Sequence, residues 1–469
     1  MLSGSMTAAV LAKHPIGAGY LAGWLMCTVC LFGISACATT VENAARRDLN
    51  RHAEETSSAA MHHSRPVESV TPDGTLAFYI AYAMKNSPEL AAQFERWRAS
   101  VYRISGARRL PDPVVSYGYY ISRVETRVGP QRHRVSLKQT FPWPTRLSAG
   151  ADAAAARATS NQDKFDAMAV EIAARVEQIY WQIWKIQEAR KVQEAHEASL
   201  FGLSESANAM MMTGRIDLSE QQQIDLARAR IDDTLSMLDE QAVQQKAELR
   251  ALISAPKDIE MPVSSTPNLE PTVLDEVALL SSVKSHPSLR AYDALAQSSA
   301  LDAKKEETTR YPNFTVGVDW IETGKAENPN TPDSGKDAFV AGIGVSIPLW
   351  QQSYQESVAA YHAEENAHMS DGEAATDRAV ATFYQTLSQI RDAERRMALY
   401  EKTLVPQAES VYESVLGAYA SGRGSVASAL LAQQDLLELR LQLISVQSDY
   451  LTKMAALKNL VGHEVGDSP

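Results

Sequence analysis

The chain has 469 residues, of which 45% are hydrophobic and 22% are charged. These proportions indicate an ordered protein that is large enough for more than one core. The formal net charge of -12 argues against nucleic acid as a partner, because phosphate binding requires a basic stripe and the sequence has none.

The first 36 residues are typical of a secretory leader. A basic Lys13 precedes a long apolar run that ends in Ile34-Ser35-Ala36-Cys37. This ending resembles a bacterial lipobox, which implies a signal peptide at 1–36 and a palmitate-bearing lipid on Cys37. Met6 lies closer to the apolar run and is an alternative start. An uncleaved anchor helix stays open as a second interpretation, because the run is just long enough to span a bilayer.

The cysteines fit a lipoprotein. Cys27 and Cys30 lie inside the leader, so a mature chain that begins at Cys37 has neither a disulfide framework nor a thiolate metal site. Ala38 after the cysteine resembles the outer-membrane sorting class. Residues 37–74 have little apolar periodicity, and the sequence predicts a lipidated, extended tether there.

From Pro88 the sequence passes twice through the same order of segments, roughly 200 residues apart. The matching pairs are SPEL and HPSL, RLPDPVVSYGYYI and RYPNFTVGVDWI, TFPW and SIPL, TGR and SGR, and LRALI and LKNLV. Their separation only grows along the chain, as expected of a tandem duplication with loop insertions. The sequence therefore predicts repeats at 75–266 and 267–463 and a tail at 464–469.

Each repeat contains two predicted strands, in which apolar residues alternate with small or polar ones. The four strands are expected at about 114–121, 134–141, 314–321 and 339–347. Aromatic residues gather at the hairpins, which suits a membrane-interface girdle; they are Tyr117, Tyr119, Tyr120 and Trp320. Pro142 and Pro348 stand where the return strands give way to helices.

Long helical hairpins follow the strands, at about 144–254 and 350–461. An outgoing helix of about 70 residues would be ~105 Å long, far more than a globular helix. Apolar residues recur at steps of four and three, the spacing of a coiled-coil seam. They include Phe165, Ala169, Ile172, Val176, Ile179, Ile183 and Ile186, and in the second half Val380, Phe383, Leu387 and Ile390. Gly214 and Gly422 mark sharp turns between outgoing and returning helices.

Duplicated strand hairpins that pass through a proline into such helices, in a secreted lipoprotein, resemble the TolC-like outer-membrane efflux family over about residues 72–463. The resemblance implies a mixed fold class: a transmembrane β-barrel continuous with a long α-helical coiled-coil tunnel in the periplasm. A homotrimer would supply twelve strands, four from each chain. Physics agrees, because four strands cannot close a barrel and unpaired edges are unfavourable in lipid. The implied location is the outer membrane of a Gram-negative bacterium.

The family's helix tips dock onto a periplasmic adaptor, and two segments of this chain resemble them. The candidate docking and gate residues are Gly214, Arg215, Asp217, Gly422, Arg423 and Ser425. Small residues and a guanidinium group would let another helical tip approach and hydrogen-bond. Ser428 stands where family members often carry an aspartate that rings the closed tunnel, which leaves the gating residues open.

No catalytic Ser-His-Asp arrangement, phosphate loop or HExxH motif is present, so we predict no enzyme activity and no cofactor other than the lipid on Cys37. His362 and His368 are not spaced for a metal site on one helix face, which favours solvated surface. The run Met210-Met211-Met212 could contact soft ions, although core packing is the favoured interpretation.

These features predict a passive exit duct that joins a periplasmic adaptor and an inner-membrane transporter to the outside. The resemblance implies export of small toxic compounds, and the run Gln139 to Pro144 resembles the heavy-metal branch of the family. Cargo thus stays open between drugs and metal ions. A type I protein-secretion duct is one alternative. A lipid-anchored coiled-coil scaffold without a pore is another, but it has no use for two hairpins with one apolar face.

Overall fold

The computed structural model describes residues 40–60, 72–212 and 217–463. The predicted leader at 1–36, the lipidation candidate Cys37 and the predicted tail at 464–469 lie outside the described residues. One order of elements occurs twice: a short helix, a second helix, an antiparallel strand pair and a long helical hairpin. This order is what a tandem duplication of one unit produces.

Helix α1 (Thr40–Ala60) lies where the sequence predicts an extended tether, and that prediction is wrong for these residues. The Glu42 carboxylate is fully buried and pairs with Arg46 at 2.9 Å and with Arg108 at 3.2 Å. Leu49 is buried in a cluster around Trp97. Leu49, the His52 ring against Trp97 with ring centroids 5.2 Å apart, and the Glu42–Arg108 ion pair dock this helix on its neighbours, so the segment does not need the long apolar stripe that periodicity analysis looks for.

The first repeat starts with two helices that have well-formed N-terminal caps. The Thr75 and Ser87 hydroxyls accept hydrogen bonds from backbone N–H groups in the first turn, and Pro88 occupies the first turn of the second helix. The elements of this repeat are α2 (Leu76–Asn86), α3 (Pro88–Ala107), β1 (Val114–Thr126), β2 (Gly129–Phe141), α4 (Pro144–Met212) and α5 (Leu218–Ile253).

The second repeat has the same elements, but its outgoing helix is interrupted. The elements are α6 (Glu276–Lys284), α7 (Pro287–Glu307), β3 (Phe314–Thr323), β4 (Ala338–Val345), α8 (Gln351–Leu399), α9 (Val405–Ala420) and α10 (Val426–Val461). A π-helical turn, Tyr400–Leu404, separates α8 from α9. The sequence predicts one uninterrupted helix here. Pro406 has no N–H to donate to the preceding turn, which explains a local change of helix type.

The four strands form one antiparallel sheet in the order β1-β2-β3-β4. The two hairpins therefore lie side by side, joined where β2 pairs with β3. The first hairpin runs past its predicted ends to a turn between Thr126 and Gly129, with a register shift between Tyr119 and Val124. Alternation of apolar residues fades in this outer part, so periodicity alone ends the strand too early.

The main helical core joins both hairpins and confirms the predicted coiled-coil stripes. Ile172, Val176 and Ile183 are fully buried on α4, as are Phe383 and Ile390 on α8. Both sets belong to one cluster that also takes in residues of α2, α5, α6 and α10. The two repeats thus share one core rather than forming separate domains.

Within the described part of the chain, no helix carries an apolar stretch long enough to cross a membrane.

Candidate functional site

The sheet has two unlike faces, because residues that pair directly across an antiparallel sheet point to the same side. One row runs Val115, Leu137, Val318 and Ala341. The rows two residues away on the same side contain Tyr117, Val135, Trp320, Phe339, Val316 and Ile343. Most of these large side chains are exposed in the single chain. A broad, exposed, mainly apolar sheet face is what lipid requires of a barrel's outer surface.

The opposite face carries mainly small and polar residues, with Val114, Ile321 and Val340 as exceptions, and an ion pair links the two hairpins across it. The Arg134 guanidinium donates to both carboxylate oxygens of Asp319, at 3.2 and 2.9 Å. The Ser136 hydroxyl donates to the same carboxylate. Because Arg134 and Asp319 lie 185 residues apart, only the β2–β3 register brings them together. Sequence reasoning placed polar residues on this face but missed the pair.

One polar group interrupts the apolar face near the outer end of the strands. The Tyr117 hydroxyl lies 2.7 Å from His133 Nδ1, and His133 Nε2 lies 3.4 Å from a carboxylate oxygen of Glu322. Tyr119 contacts the same imidazole ring, with ring centroids 5.2 Å apart. Aromatic rings with polar tips suit the boundary between lipid and water. The predicted girdle therefore also contains a histidine, which alternation could not reveal.

Pro142 and Pro348 lie in the short connections between strand and helix, as the sequence predicts. Pro142 directly follows β2, and Pro348 lies between β4 and α8. Beside the first junction, Trp143 stacks on Tyr311 with ring centroids 4.9 Å apart. This contact ties the start of α4 to the segment before β3. The first junction is thereby held against the chain that enters β3.

The tip of the second hairpin is a tight turn that requires glycine. Gly422 has φ +75, and its N–H donates to the Tyr419 carbonyl at 2.8 Å. A Cβ on Gly424 would stand 2.9 Å from the Tyr419 backbone nitrogen. Arg423 is exposed at the apex, and its Nε donates to the Ser421 hydroxyl at 3.1 Å. The turn presents a guanidinium group on a compact backbone.

Both returning helices begin with a capping side chain at the tip. Ser425 accepts from the Ser428 N–H at 3.2 Å, and the two hydroxyls lie 2.9 Å apart. Asp217 accepts from the Ser219 and Glu220 N–H groups at 2.9 and 3.1 Å. The Ser219 hydroxyl, which also donates to this carboxylate, and the two N–H groups hold the pKa of the exposed Asp217 carboxyl below its usual value. Two predicted docking residues are therefore also helix caps.

Two other predicted tip residues, Gly214 and Arg215, lie outside the described residues. The helices that lead to and from the two tips share one cluster of buried residues. It contains Leu200, Ala207, Ile224, Tyr419, Val426 and Ala429 from both hairpins. The ends of the two helical hairpins therefore lie side by side.

Above the tips, a polar cavity of about 120 Å³ lies between the hairpins and contacts α4, α5 and α10. Gln433 is 3% exposed, and neither its amide nitrogen nor its amide oxygen has a hydrogen-bond partner among the described residues. Gln193 also lines the cavity, as does His196, whose pKa burial lowers to about 4. Sequence reasoning missed this polar group because its members stand at core positions of three distant helices.

The histidine and methionine candidates lie in different surroundings. His362 Nδ1 lies 2.9 Å from a carboxylate oxygen of Glu365 on the exposed surface of α8. Met210 packs against the tip cluster while Met212 is 88% exposed. Among the described residues, no group of three or more His, Cys, Asp or Glu side chains is placed to hold a metal ion.

Comparison with known proteins finds similarity to outer membrane proteins. The family model described as outer membrane efflux protein matches residues 279–463. No curated protein sequence matches the chain.

Solved structures share the fold over most of the chain. The outer membrane protein VceC of Vibrio cholerae is 17% identical with a TM-score of 0.68, and the match covers 83% of this chain and 96% of that one. The MtrE outer membrane channel of Neisseria gonorrhoeae, in its open state, is 15% identical with a TM-score of 0.68, covering 85% and 93%. The Campylobacter jejuni CmeC outer membrane channel is 13% identical with a TM-score of 0.65, covering 84% and 87%.

Proposed function

We propose that the chain, whose residues 279–463 match the outer membrane efflux protein family, is a member of that family and that three copies form a passive exit duct through the outer membrane. The observation that carries the proposal is the two-faced sheet, apolar on one side and polar on the other, that passes directly into long helical hairpins. A barrel built from such sheets has a lipid-compatible outside and a hydrated inside.

The number of copies follows from the sheet edges. Strands β1 and β4 are the outer strands of the four-stranded sheet, so each leaves one row of backbone groups unpaired within the chain. Unpaired backbone groups in lipid are unfavourable by several kcal/mol each, and pairing β4 of one copy with β1 of the next removes them. Three copies give twelve strands, enough for a barrel with a water-filled lumen.

The helical tips are the proposed contact with a periplasmic adaptor, which in turn joins an inner-membrane transporter. Arg423 at the apex and the capped turn at Ser425 offer a charged donor on a compact surface, and Asp217 adds a carboxylate on the other hairpin. Gly214 and Arg215 complete the proposed docking set. Transport would be powered by the inner-membrane partner, since a duct works through shape and gating.

A lipid on Cys37 is the proposed anchor of the N-terminus in the outer membrane. The docking of α1 on α3 supports it, because the Glu42 and Leu49 contacts hold the start of the described chain against the helical body. The proposed cargo is small toxic compounds, either drugs or heavy-metal ions. Protein secretion through the same kind of duct is the second candidate.

The test is the conductance of the purified protein reconstituted in lipid, together with its mass in mild detergent. We expect a mass of three chains and a small conductance that changes in discrete steps. A monomer or dimer without conductance would exclude the barrel and leave the scaffold interpretation.

A further inference from the structure

The polar face of the sheet carries a net positive charge. Within the rows where all four strands pair, this face carries three charged residues: Arg134, Lys138 and Asp319. Arg134 and Asp319 neutralise each other, and Asp319 also accepts from Ser136. Lys138 takes part in no ion pair among the described residues. Each chain therefore contributes one uncompensated positive charge to this face.

The row that contains Lys138 is built to leave the ammonium group open to the lumen. Its direct partners across the sheet are Val114 on β1 and Gly317 on β3, and Gly317 pairs in turn with Gly342 on β4. A Cβ added to Gly317 would stand 3.0 Å from Lys138 Cγ, so the lysine stem lies over that glycine. No residue of the row can neutralise or cover the charge.

The register also fixes the level of Lys138 along the barrel. It precedes Phe141, the last residue of β2, by three positions, which places it about 10 Å from the passage into the helices. The Arg134–Asp319 pair lies farther toward the outer end of the same strands. Cargo that leaves the helical tunnel must therefore pass Lys138 before it reaches the Arg134–Asp319 pair.

We propose that Lys138, lying over Gly317, forms a threefold ring of positive charge at the inner end of the barrel, and that this ring favours anionic cargo over cationic cargo. The inference rests on the proposed trimeric duct and specifies the chemistry of its lumen. A twelve-stranded barrel has a backbone radius of about 12 Å, and a lysine reaches about 6 Å inward. The three ammonium groups then lie within or near the Debye length of about 8 Å from the pore axis.

The experiment uses Gly342→Cys in the full-length, lipid-embedded protein as a reporter in the same row. A Cβ at Gly342 meets no atom within 4 Å, so the site accepts a thiol. Modification rates are measured with a sulfonate-bearing and a trimethylammonium-bearing methanethiosulfonate added from the outer side, and the chain without the new thiol gives the background. Access from outside makes the readout independent of the state of the tips.

With each rate divided by that reagent's rate toward a small free thiol in solution, we expect Gly342→Cys to favour the anionic reagent. Adding Lys138→Gln should lower the ratio of anionic to cationic rates by roughly three- to tenfold at low salt. Lys138→Arg should keep the ratio. Lys164→Gln, which removes an exposed lysine of α4 far along the chain from the sheet, should leave it unchanged.

A second reporter separates failure of this inference from failure of the duct. Ile343→Cys lies on the apolar face, one residue from Gly342, and should be protected by lipid. If Gly342→Cys reacts and Ile343→Cys is protected, but Lys138→Gln leaves the ratio unchanged, the charged ring is wrong and the barrel stands. If Ile343→Cys reacts as fast as Gly342→Cys, the face assignment fails, and the proposed duct fails with it.

Discussion

At the scale of single residues, the side chains with the most constrained surroundings are polar groups inside the helical hairpins. His196 lies on α4 beside a cavity that α5 and α10 also line, and burial lowers its pKa to about 4. Arg230 on α5, Tyr412 on α9 and Arg440 on α10 line the cavities around it.

Because the pKa of His196 is lowered, the free energy of unfolding should decrease at acidic pH. The folded-state pKa lies below the unfolded value of 6.5, so the unfolded chain binds the proton more tightly. The free energy of unfolding is therefore highest above pH 6.5. It falls as the pH drops toward 4, by about 2 kcal/mol per chain after allowance for the partial exposure of His196. His196→Gln should flatten the dependence, as measured by thermal unfolding at pH 7.5 and pH 5. Equal losses in both proteins would assign the effect to other groups.

At the scale of elements, the outer end of the sheet depends on one close backbone approach. Gly129, at the start of β2, has φ +130, and a Cβ there would lie 1.8 Å from the Gly324 carbonyl oxygen. The Gly324 N–H donates to the Pro130 carbonyl at 2.7 Å, which holds the β3–β4 connection against the first hairpin. The two hairpins are joined here as well as along β2 and β3.

We therefore expect Gly129→Ala to prevent assembly of the barrel, because neither the backbone angle nor the space accepts a side chain. Gly118→Ala is the matched control, since a Cβ at Gly118 in β1 meets nothing within 4 Å. Yield of detergent-resistant trimer in the outer membrane measures the difference. A normal trimer yield from Gly129→Ala would contradict the predicted contact between hairpin and connection.

At the scale of the whole molecule, the sheet and the tips stand at opposite ends of the long helices and should fail independently. The tip cluster and the main core are separate sets of buried residues. A change at the exposed apex therefore has no route to the barrel through packing.

Gly422→Glu and Arg423→Glu should abolish export while the trimer still forms, because each adds bulk or reverses charge where the adaptor is proposed to dock. Gly417→Glu, on α9 one turn before the tip with open space at its Cβ, is a control for added charge near the tip. Export is measured by survival in toxic compounds, and assembly by trimer yield. Unchanged survival in both tip variants would show that the apex is not the docking surface.

Much of the fold is encoded locally and was therefore accessible from the sequence. Period-two alternation predicts the four strands, steps of three and four predict the seams that bury Ile172 and Phe383, and repeated segments predict the duplication. Pro142, Pro348 and Gly422 act through the conformations they permit or forbid, so their positions are informative without any partner.

Tertiary structure alone decides what depends on contacts between distant segments. The β2–β3 register pairs Arg134 with Asp319 and leaves Lys138 without an ion-pair partner, and a shift of β2 by one residue would place Arg134 and Lys138 on the lipid side, away from Asp319. Helix α1 is stabilised by Arg108 and Trp97 rather than by its own pattern. Local sequence thus determines which elements form, whereas long-range register and docking determine which charges face the lumen.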